Sequence, residues 1–502
     1  MKLAFAKMKP TSIAFLSASL LVSLATLGHA NPTWTGGAAG DTTDWNNPAN
    51  WTSLITPGVA PSTTSIAKFT TASPTHQPNV TSSADIEALY FSVGGYDITA
   101  TNSATLTFGV GGNYYNTGDG NGYYLINALN TSGTNTINVP LLLTASTGKT
   151  QNFASDGGTL VIQGTIGDAS GYTSTDTVEF YANGSTAIVD VTGANTFTNA
   201  VEIYGSGKTE VNTLGNSGSA SALGENGTIT MLAGSDLNYQ GLGETSNKTF
   251  NLTANGTIDT TGATGTLNLS SAVTGTGYSL TKAGAGTLAL SHAAGNTYSN
   301  GTTVSAGTLL VSNTSNSATG SGTVSLGAAT LAGTGIISGQ VHATGASGSS
   351  NITAATAATI GNLSLSGGVT SSTGLTLNLA IDGAGATNST LTLGSTGLAD
   401  SGGALIFNLY DLGSNSLIDN TPYTLIAGTG AISESSITAN LLNSSYTLNS
   451  SYGSHGVLVS GDIATFEVTG GLAVPEPSTY ALLGAGFLAL IIFSRRYRFQ
   501  GQ

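Results

Sequence analysis

Gly265-Thr266-Leu267-Asn268-Leu269, Gly286-Thr287-Leu288-Ala289-Leu290 and Gly307-Thr308-Leu309-Leu310-Val311 share one pattern, Gly-Thr-Leu-x-apolar, and begin 21 residues apart both times. A looser copy, Gly322-Thr323-Val324-Ser325-Leu326, begins fifteen residues after the third. Each copy alternates apolar and polar residues with period two between Gly and Asn turns, so each reads as a short strand. Recurrence at intervals of 20 to 50 residues marks a solenoid. No helical periodicity separates the copies. A 21-residue step of strand and turn therefore predicts one coil of a parallel β-helix, with equivalent leucines stacked in an interior column. The same alternation recurs at Thr105-Leu106-Thr107-Phe108, Thr159-Leu160-Val161-Ile162 and Thr376-Leu377-Asn378-Leu379. The expected fold is all-β, a parallel β-helix closed by N- and C-terminal caps, because only the end coils expose strand edges.

Composition agrees with that architecture. Of 502 residues, 39% are hydrophobic but only 7% are charged, against roughly 25% in an ordinary soluble domain. Glycine, at 70 residues, and abundant Ser, Thr and Asn supply turns and a surface solvated by hydroxyls and amides. Between the two ends the only basic side chains are Lys68, Lys149, Lys208, Lys248 and Lys282, and all 25 acids follow residue 30. A nucleic-acid partner is not expected, since phosphate binding needs clustered Lys and Arg. The absence of cysteine excludes disulfides and thiolate-ligated metals.

The ends read as addresses. Lys2, Lys7 and Lys9 precede an apolar stretch, Ile13 to Leu27, and Gly28-His29-Ala30 places small residues where signal peptidase reads them. Residues 1–30 are expected to be a signal peptide cleaved between Ala30 and Asn31. At the other end, Val474-Pro475-Glu476-Pro477-Ser478 leads into Tyr480 to Phe493, fourteen residues without a charge, and then Arg495, Arg496 and Arg498. The prolines disfavour helix at the entry. The apolar run is short for a ~30 Å hydrocarbon core, which suits a temporary hold in the inner membrane, and the arginines act as a cytoplasmic stop.

Two stretches resemble known families. Residues 474–498 closely resemble the PEP-CTERM sorting signal: the motif Pro475-Glu476-Pro477, a short transmembrane helix and an Arg-rich tail. That resemblance implies processing by an exosortase, with release or attachment at the surface of a Gram-negative bacterium that makes extracellular polysaccharide. Ser279-Leu280-Thr281-Lys282-Ala283-Gly284-Ala285-Gly286-Thr287-Leu288, followed by Asn296-Thr297-Tyr298 and Gly301 to Leu309, is similar to the autotransporter-associated β-strand repeat. Gly193-Ala194-Asn195-Thr196-Phe197 reads as a degenerate echo of its turn. This second resemblance implies a right-handed β-helix of the passenger type. No series of amphipathic ten-residue strands suggests a translocator barrel; the sorting cassette occupies that end instead.

All three tryptophans, Trp34, Trp45 and Trp51, lie near the start. They resemble the N-terminal cap of proteins with this repeat, and the expectation is aromatic packing over the first open coil. A sugar-stacking platform is the alternative. The domain layout is a signal peptide (1–30), a Trp-containing cap (31–80), a β-helix (81–345), irregular final coils with a C-terminal cap (346–470), and the sorting anchor (474–498).

Catalytic chemistry finds little support. Glycoside hydrolysis needs two carboxylates at a set separation. Asp156, Asp168, Asp176 and Glu179 are scattered beside Gly or Thr, where acids usually serve turns. Lyases need Arg or Lys beside an acidic sugar, and the body has no arginine. His76, His292, His342 and His455 share no metal-ligand spacing. Thr117-Gly118-Asp119-Gly120-Asn121-Gly122 lacks the spaced acids of a calcium loop. Sequons such as Asn247-Lys248-Thr249 read as turn chemistry. No cofactor or metal is expected. The functional expectation is an exported, non-catalytic surface or matrix solenoid, associated with exopolysaccharide, adhesion or biofilm. The alternatives are a β-helix hydrolase or lyase and a carbohydrate-binding protein.

Overall fold

Short period-two strands separated by Gly and Asn turns cannot bury both faces alone; stacking successive coils in register buries one face continuously. That is what the chain does. In a computed structural model, residues 31–469 are described except 53–60, 63–64, 73, 109–121, 145–149, 173–175, 356–358, 383–386, 413–416, 419, 434–435 and 445. The chain winds around three sides. Thr249–Leu252 lies on a first sheet, Gly256–Asp259 on a second and Thr266–Leu269 on a third, before Val273–Thr274 returns to the first.

The second sheet runs unbroken through 15 strands, from Asn79–Val80 to Ile432–Ser433. The first sheet has 11 strands and lapses after Val273–Thr274; a six-stranded sheet resumes that side at Ile336–Ile337. The third side has four strands, a lapse after Ile166–Asp168, and then ten strands from Glu244–Ser246 onward. Consecutive coils pair in parallel throughout the body.

The repeated leucines form the predicted column. Leu267, Leu288, Leu309 and Leu331 are direct register partners, and Ile352, Leu377 and Phe407 extend the line. All seven are fully buried. Each stabilises the coil by about 1.5–3 kcal/mol through burial. The first side stacks aromatics inside instead. Phe69 and Phe91 lie 4.7 Å apart, and Phe153 and Phe180 5.7 Å apart.

Across residues 346–442 the coils continue. Parallel register persists through Val369, Leu398 and Ile432 on the second sheet and through Leu405 and Ile437 on the third. The fixed 21-residue period is lost because the turns lengthen, while the inward alternation survives.

Antiparallel pairs cap the first side at both ends. Thr33–Trp34 pairs antiparallel with Trp51–Thr52 at the N-terminal end. At the C-terminal end, Ile463–Phe466 runs antiparallel to both Tyr423–Gly428 and Val457–Ser460. A reversed strand cannot template another parallel coil, so this side stops growing at each end. The expected signal peptide and C-terminal transmembrane helix lie outside the described residues. No helix among the described residues is long and apolar enough to cross a membrane.

Candidate functional sites

The tryptophans converge in the N-terminal cap. Trp51 stands edge-on to Trp34 at 5.0 Å and to Trp45 at 4.7 Å, and both Trp45 and Trp51 contact Phe69. Trp34 Nε1 donates to the His76 carbonyl at 2.9 Å, and Trp51 Nε1 to the Trp45 carbonyl at 2.8 Å. No indole is more than 1% exposed. The sugar-stacking alternative for Trp34, Trp45 and Trp51 therefore fails, because their faces are spent on each other and on the first coil. Asn31, at the expected cleavage point, accepts from the Ile66 amide at 3.0 Å.

Within the repeat, each hallmark residue has a structural task. Lys282 is fully buried, and its ammonium donates to the carbonyls of Ala283 (2.8 Å), Gly284 (2.7 Å) and Ala306 (3.1 Å). It ties the turn of its own coil to the next. Burial lowers its pKa to about 8. Lys248, also fully buried, reaches back to the preceding coil instead, donating to the Gly224 and Asn226 carbonyls at 2.7 Å each.

Asn296 fills the place of a missing strand where the first sheet lapses. Its Oδ1 accepts from the Val273 amide at 2.8 Å, and its Nδ2 donates to the Ala318 carbonyl at 2.6 Å. One side chain thus joins three coils. Tyr298 is wholly buried two residues later, its hydroxyl 2.6 Å from Thr302 Oγ1.

The echo at Gly193 to Phe197 reproduces this device. Asn195 Oδ1 accepts from the Ile166 amide at 2.7 Å, and Nδ2 donates to the Ala222 carbonyl at 2.6 Å. Phe197 is buried where Tyr298 stands, and Val201 where Thr302 stands, so an apolar pair replaces the hydroxyl pair. Gly224 and Gly320 close the two units with φ of +70° and +66°; a Cβ at either would collide with the carbonyl of Phe197 or Tyr298.

The outward faces carry polar columns. On the third sheet, Asn378, Asn408 and Asn440 form a hydrogen-bonded ladder, each link 3.0 Å. On the first sheet, Glu179 and Glu202 are register partners on adjacent strands, beside Tyr181 and Tyr204, whose rings stack 4.8 Å apart. Burial holds the Glu202 carboxyl above its usual range. Between the same two coils, on the second sheet, Asp190 and Glu210 are also direct partners. Lys208 Nζ reaches past one coil to Asp259 Oδ2 at 2.7 Å, and Asn238 Nδ2 donates to Glu210 Oε1 at 2.9 Å.

The other singled-out acids and histidines serve turns. Asp156 accepts from Asn183, and Asp168 from the amide and hydroxyl of Thr198. Asp176 is buried, accepting from Gln151 and Tyr172. Glu179 departs from the turn expectation: it sits mid-strand in Thr177–Ala182. Sequence reasoning missed its partner because the coil between Glu179 and Glu202 carries no Gly-Thr-Leu signal. His76, His292 and His342 pair locally with Thr42, Gly295 and Thr370. Among the described residues, no three His, Asp or Glu side chains stand together as metal ligands.

Ala30, the sorting motif Pro475-Glu476-Pro477, the stop residues Arg495, Arg496 and Arg498, and the Thr117 to Asn121 stretch lie outside the described residues. Comparison with known families matches residues 280–311 to the passenger-associated-transport-repeat and residues 473–496 to the PEP-CTERM protein-sorting motif. No curated protein and no solved structure matches the chain. The chain therefore carries a passenger repeat inside a β-solenoid and a sorting signal of the kind exosortases process, which together mark an exported, surface-associated protein.

Proposed function

We propose that this chain is a non-catalytic surface or matrix rod that holds extracellular polysaccharide through many weak contacts along its faces. The observation that carries this reading is the outward columns of Thr, Ser and Asn repeated at the spacing of the coils, of which Asn378, Asn408 and Asn440 are the most regular. Such a face offers amide and hydroxyl groups at ~4.8 Å intervals, and linked weak sites gain avidity without any single strong one. On this reading an exosortase cleaves at Pro475-Glu476-Pro477 after transient inner-membrane anchoring, leaving the rod at the surface or in the matrix of a biofilm.

The test is fractionation of expressing cells with intact-mass analysis of the mature chain. A C-terminus near Pro475, with the chain co-purifying with secreted polysaccharide, supports the reading. A terminus at Gln502 and no retained polysaccharide overturns it.

One observation favours a second reading, a glycoside hydrolase: the Glu179–Glu202 pair beside two tyrosines. Neighbouring strands place the two residues ~4.8 Å apart at their Cα atoms, near the separation retaining enzymes use. Both carboxylates, however, rise side by side from one sheet face, whereas hydrolysis needs groups flanking the scissile bond. Polysaccharide hydrolysis by the wild-type chain that Glu202→Gln abolishes would establish the enzyme.

A further inference from the structure

Two outward columns on the third sheet are uncharged. Thr245, Asn268, Ala289 and Leu310 are direct register partners, and their column continues to the Asn378–Asn440 ladder. Thr266, Thr287, Thr308 and Thr330 form a second column two residues earlier on their strands. Residues 260–381 contain no acid, and their only Lys or Arg, Lys282, is fully buried.

At the start of these columns lies a groove of about 460 Å³. It crosses the strands Glu244–Ser246, Thr266–Leu269, Thr287–Leu290 and Thr308–Val311, a reach of about 14 Å along the rod. Leu242, Ala289 and Leu310 supply its apolar lining, and Thr266, Asn268 and Ser312 supply hydroxyl and amide groups. Leu242 is 86% exposed, more than any other large hydrophobic side chain among the described residues. Its turn is nevertheless fixed. Gly243 takes φ of +103°, its amide donates to the Tyr239 hydroxyl at 3.2 Å, and a Cβ at Gly265 would collide with the Leu242 carbonyl. An apolar group held in place before binding loses little freedom on binding.

The lining also selects by charge. Glu244 is the one charged residue in it, and its carboxylate already accepts from Thr213 Oγ1 and from the Leu214 and Gly215 amides. With no cation present, an acidic polymer is repelled rather than attracted. No aromatic residue or arginine lines the groove, so it lacks the usual anchors of a protein interface.

We propose that this groove binds a neutral polysaccharide, a polymer of uncharged hexoses, with the sugar chain laid along the rod. Leu242, Ala289 and Leu310 take the C–H faces of successive rings, and Thr266, Asn268 and Ser312 exchange hydrogen bonds with their hydroxyls. Chain and rod both repeat along one line, so weak contacts add. The proposal rests on the matrix-rod reading and names the polysaccharide class it takes.

The test is affinity electrophoresis of the full chain through gels holding laminarin or hydroxyethylcellulose, both neutral glucans, or alginate, an anionic polymer. Wild type is expected to be retarded by a neutral glucan and not by alginate. Leu242→Ser with Leu310→Ser should weaken that binding about tenfold or more, because linked contacts are lost together. Leu242→Ser alone should weaken it severalfold at an unchanged melting temperature, since that side chain is already in solvent. Leu458→Ser, at an exposed leucine in the C-terminal cap, should leave binding unchanged. Retardation by alginate equal to that by the glucans, or wild-type affinity in the double variant, overturns the proposal. So does self-association that Leu242→Ser abolishes without any retardation by glucan, which would make the groove a contact between copies. If neither glucan retards wild type while secreted polysaccharide still co-purifies with it, the groove proposal falls and the matrix-rod reading stands. If no polysaccharide co-purifies, the matrix-rod reading falls as well.

Discussion

Asn195 and Asn296 make the same three hydrogen bonds on different sides of the rod. In each, Oδ1 accepts from the preceding coil, Nδ2 donates to the following one, and the main-chain amide donates to a serine carbonyl, Ser221 or Ser317. The next amide, Thr196 or Thr297, returns to Ile166 or Val273. Asn195 bridges the lapse in the third side and Asn296 the lapse in the first. Where the chain drops a strand, one asparagine supplies the ladder bonds the strand would have made.

Asn296→Ala should therefore unpair the buried Val273 amide and Ala318 carbonyl together. The expected loss is about 2–5 kcal/mol, from the cost of two unmade buried bonds. Hydrogen exchange at Val273 should accelerate far more than at Leu377, several coils away. Asn195→Ala should act alike on Ile166.

Tyr298→Phe removes one partner of the buried Tyr298–Thr302 contact and should cost about 1 kcal/mol or more. The double variant Tyr298→Phe with Thr302→Val reproduces the Phe197–Val201 pair of the echo. It should recover only part of that loss, because Thr302 Oγ1 also donates to the buried Thr319 carbonyl at 3.2 Å and valine leaves that acceptor unpaired. Urea denaturation of the single and double variants checks this. An additive double mutant would show that the two sites do not share one environment.

Asp190 and Asp236 are each pushed up to about 6, Asp190 by burial and then Glu210, and Asp236 by burial and then chiefly Asp259. Their folded values lie above the unfolded value of 3.8, so the folded chain binds more protons between 3.8 and 6. Their contribution to stability is full below that window and is lost as pH rises through about 6. The melting temperature should fall across this interval, and Asp190→Asn with Asp236→Asn should flatten the fall.

Lys282 shifts the other way, from 10.5 to about 8, chiefly through burial. Above pH 8 the unfolded chain holds more protons than the folded one, so stability should rise with pH between about 8 and 10.5. Lys282→Met should remove this residue's share of the rise and leave that of Lys248, which is also lowered to about 8. Thermal melts across that range would read both.

Much of this architecture was legible because it repeats. The column through Leu267, Leu288 and Leu309 follows from spacing alone, since equal coil lengths put equal residues in register. Asn195 was visible as part of a degenerate echo, but its bonds were not, because its partners, Ile166 and Ala222, lie 29 and 27 residues away in coils of unequal length. The same irregularity concealed the Glu179–Glu202 pair. Lys282 was legible as a repeat letter; its cage of carbonyls depends on backbone turns that sequence does not print. The tryptophans were legible as a cluster near the start; the burial that leaves no indole face open was not.

The two reversed ends have an evolutionary consequence. Since antiparallel pairs at Trp34–Trp51 and at Ile463–Phe466 terminate the first side, whatever lies between them is free to gain or lose material without exposing a new edge on that side. The natural unit of change is one full winding, about 4.8 Å of reach, carrying its own outward residues with it. Duplication of a segment that includes an asparagine bridge would move that bridge to whichever side the new windings dictate. Asn195 and Asn296, alike in bonding and different in side, are what such a lineage would leave behind.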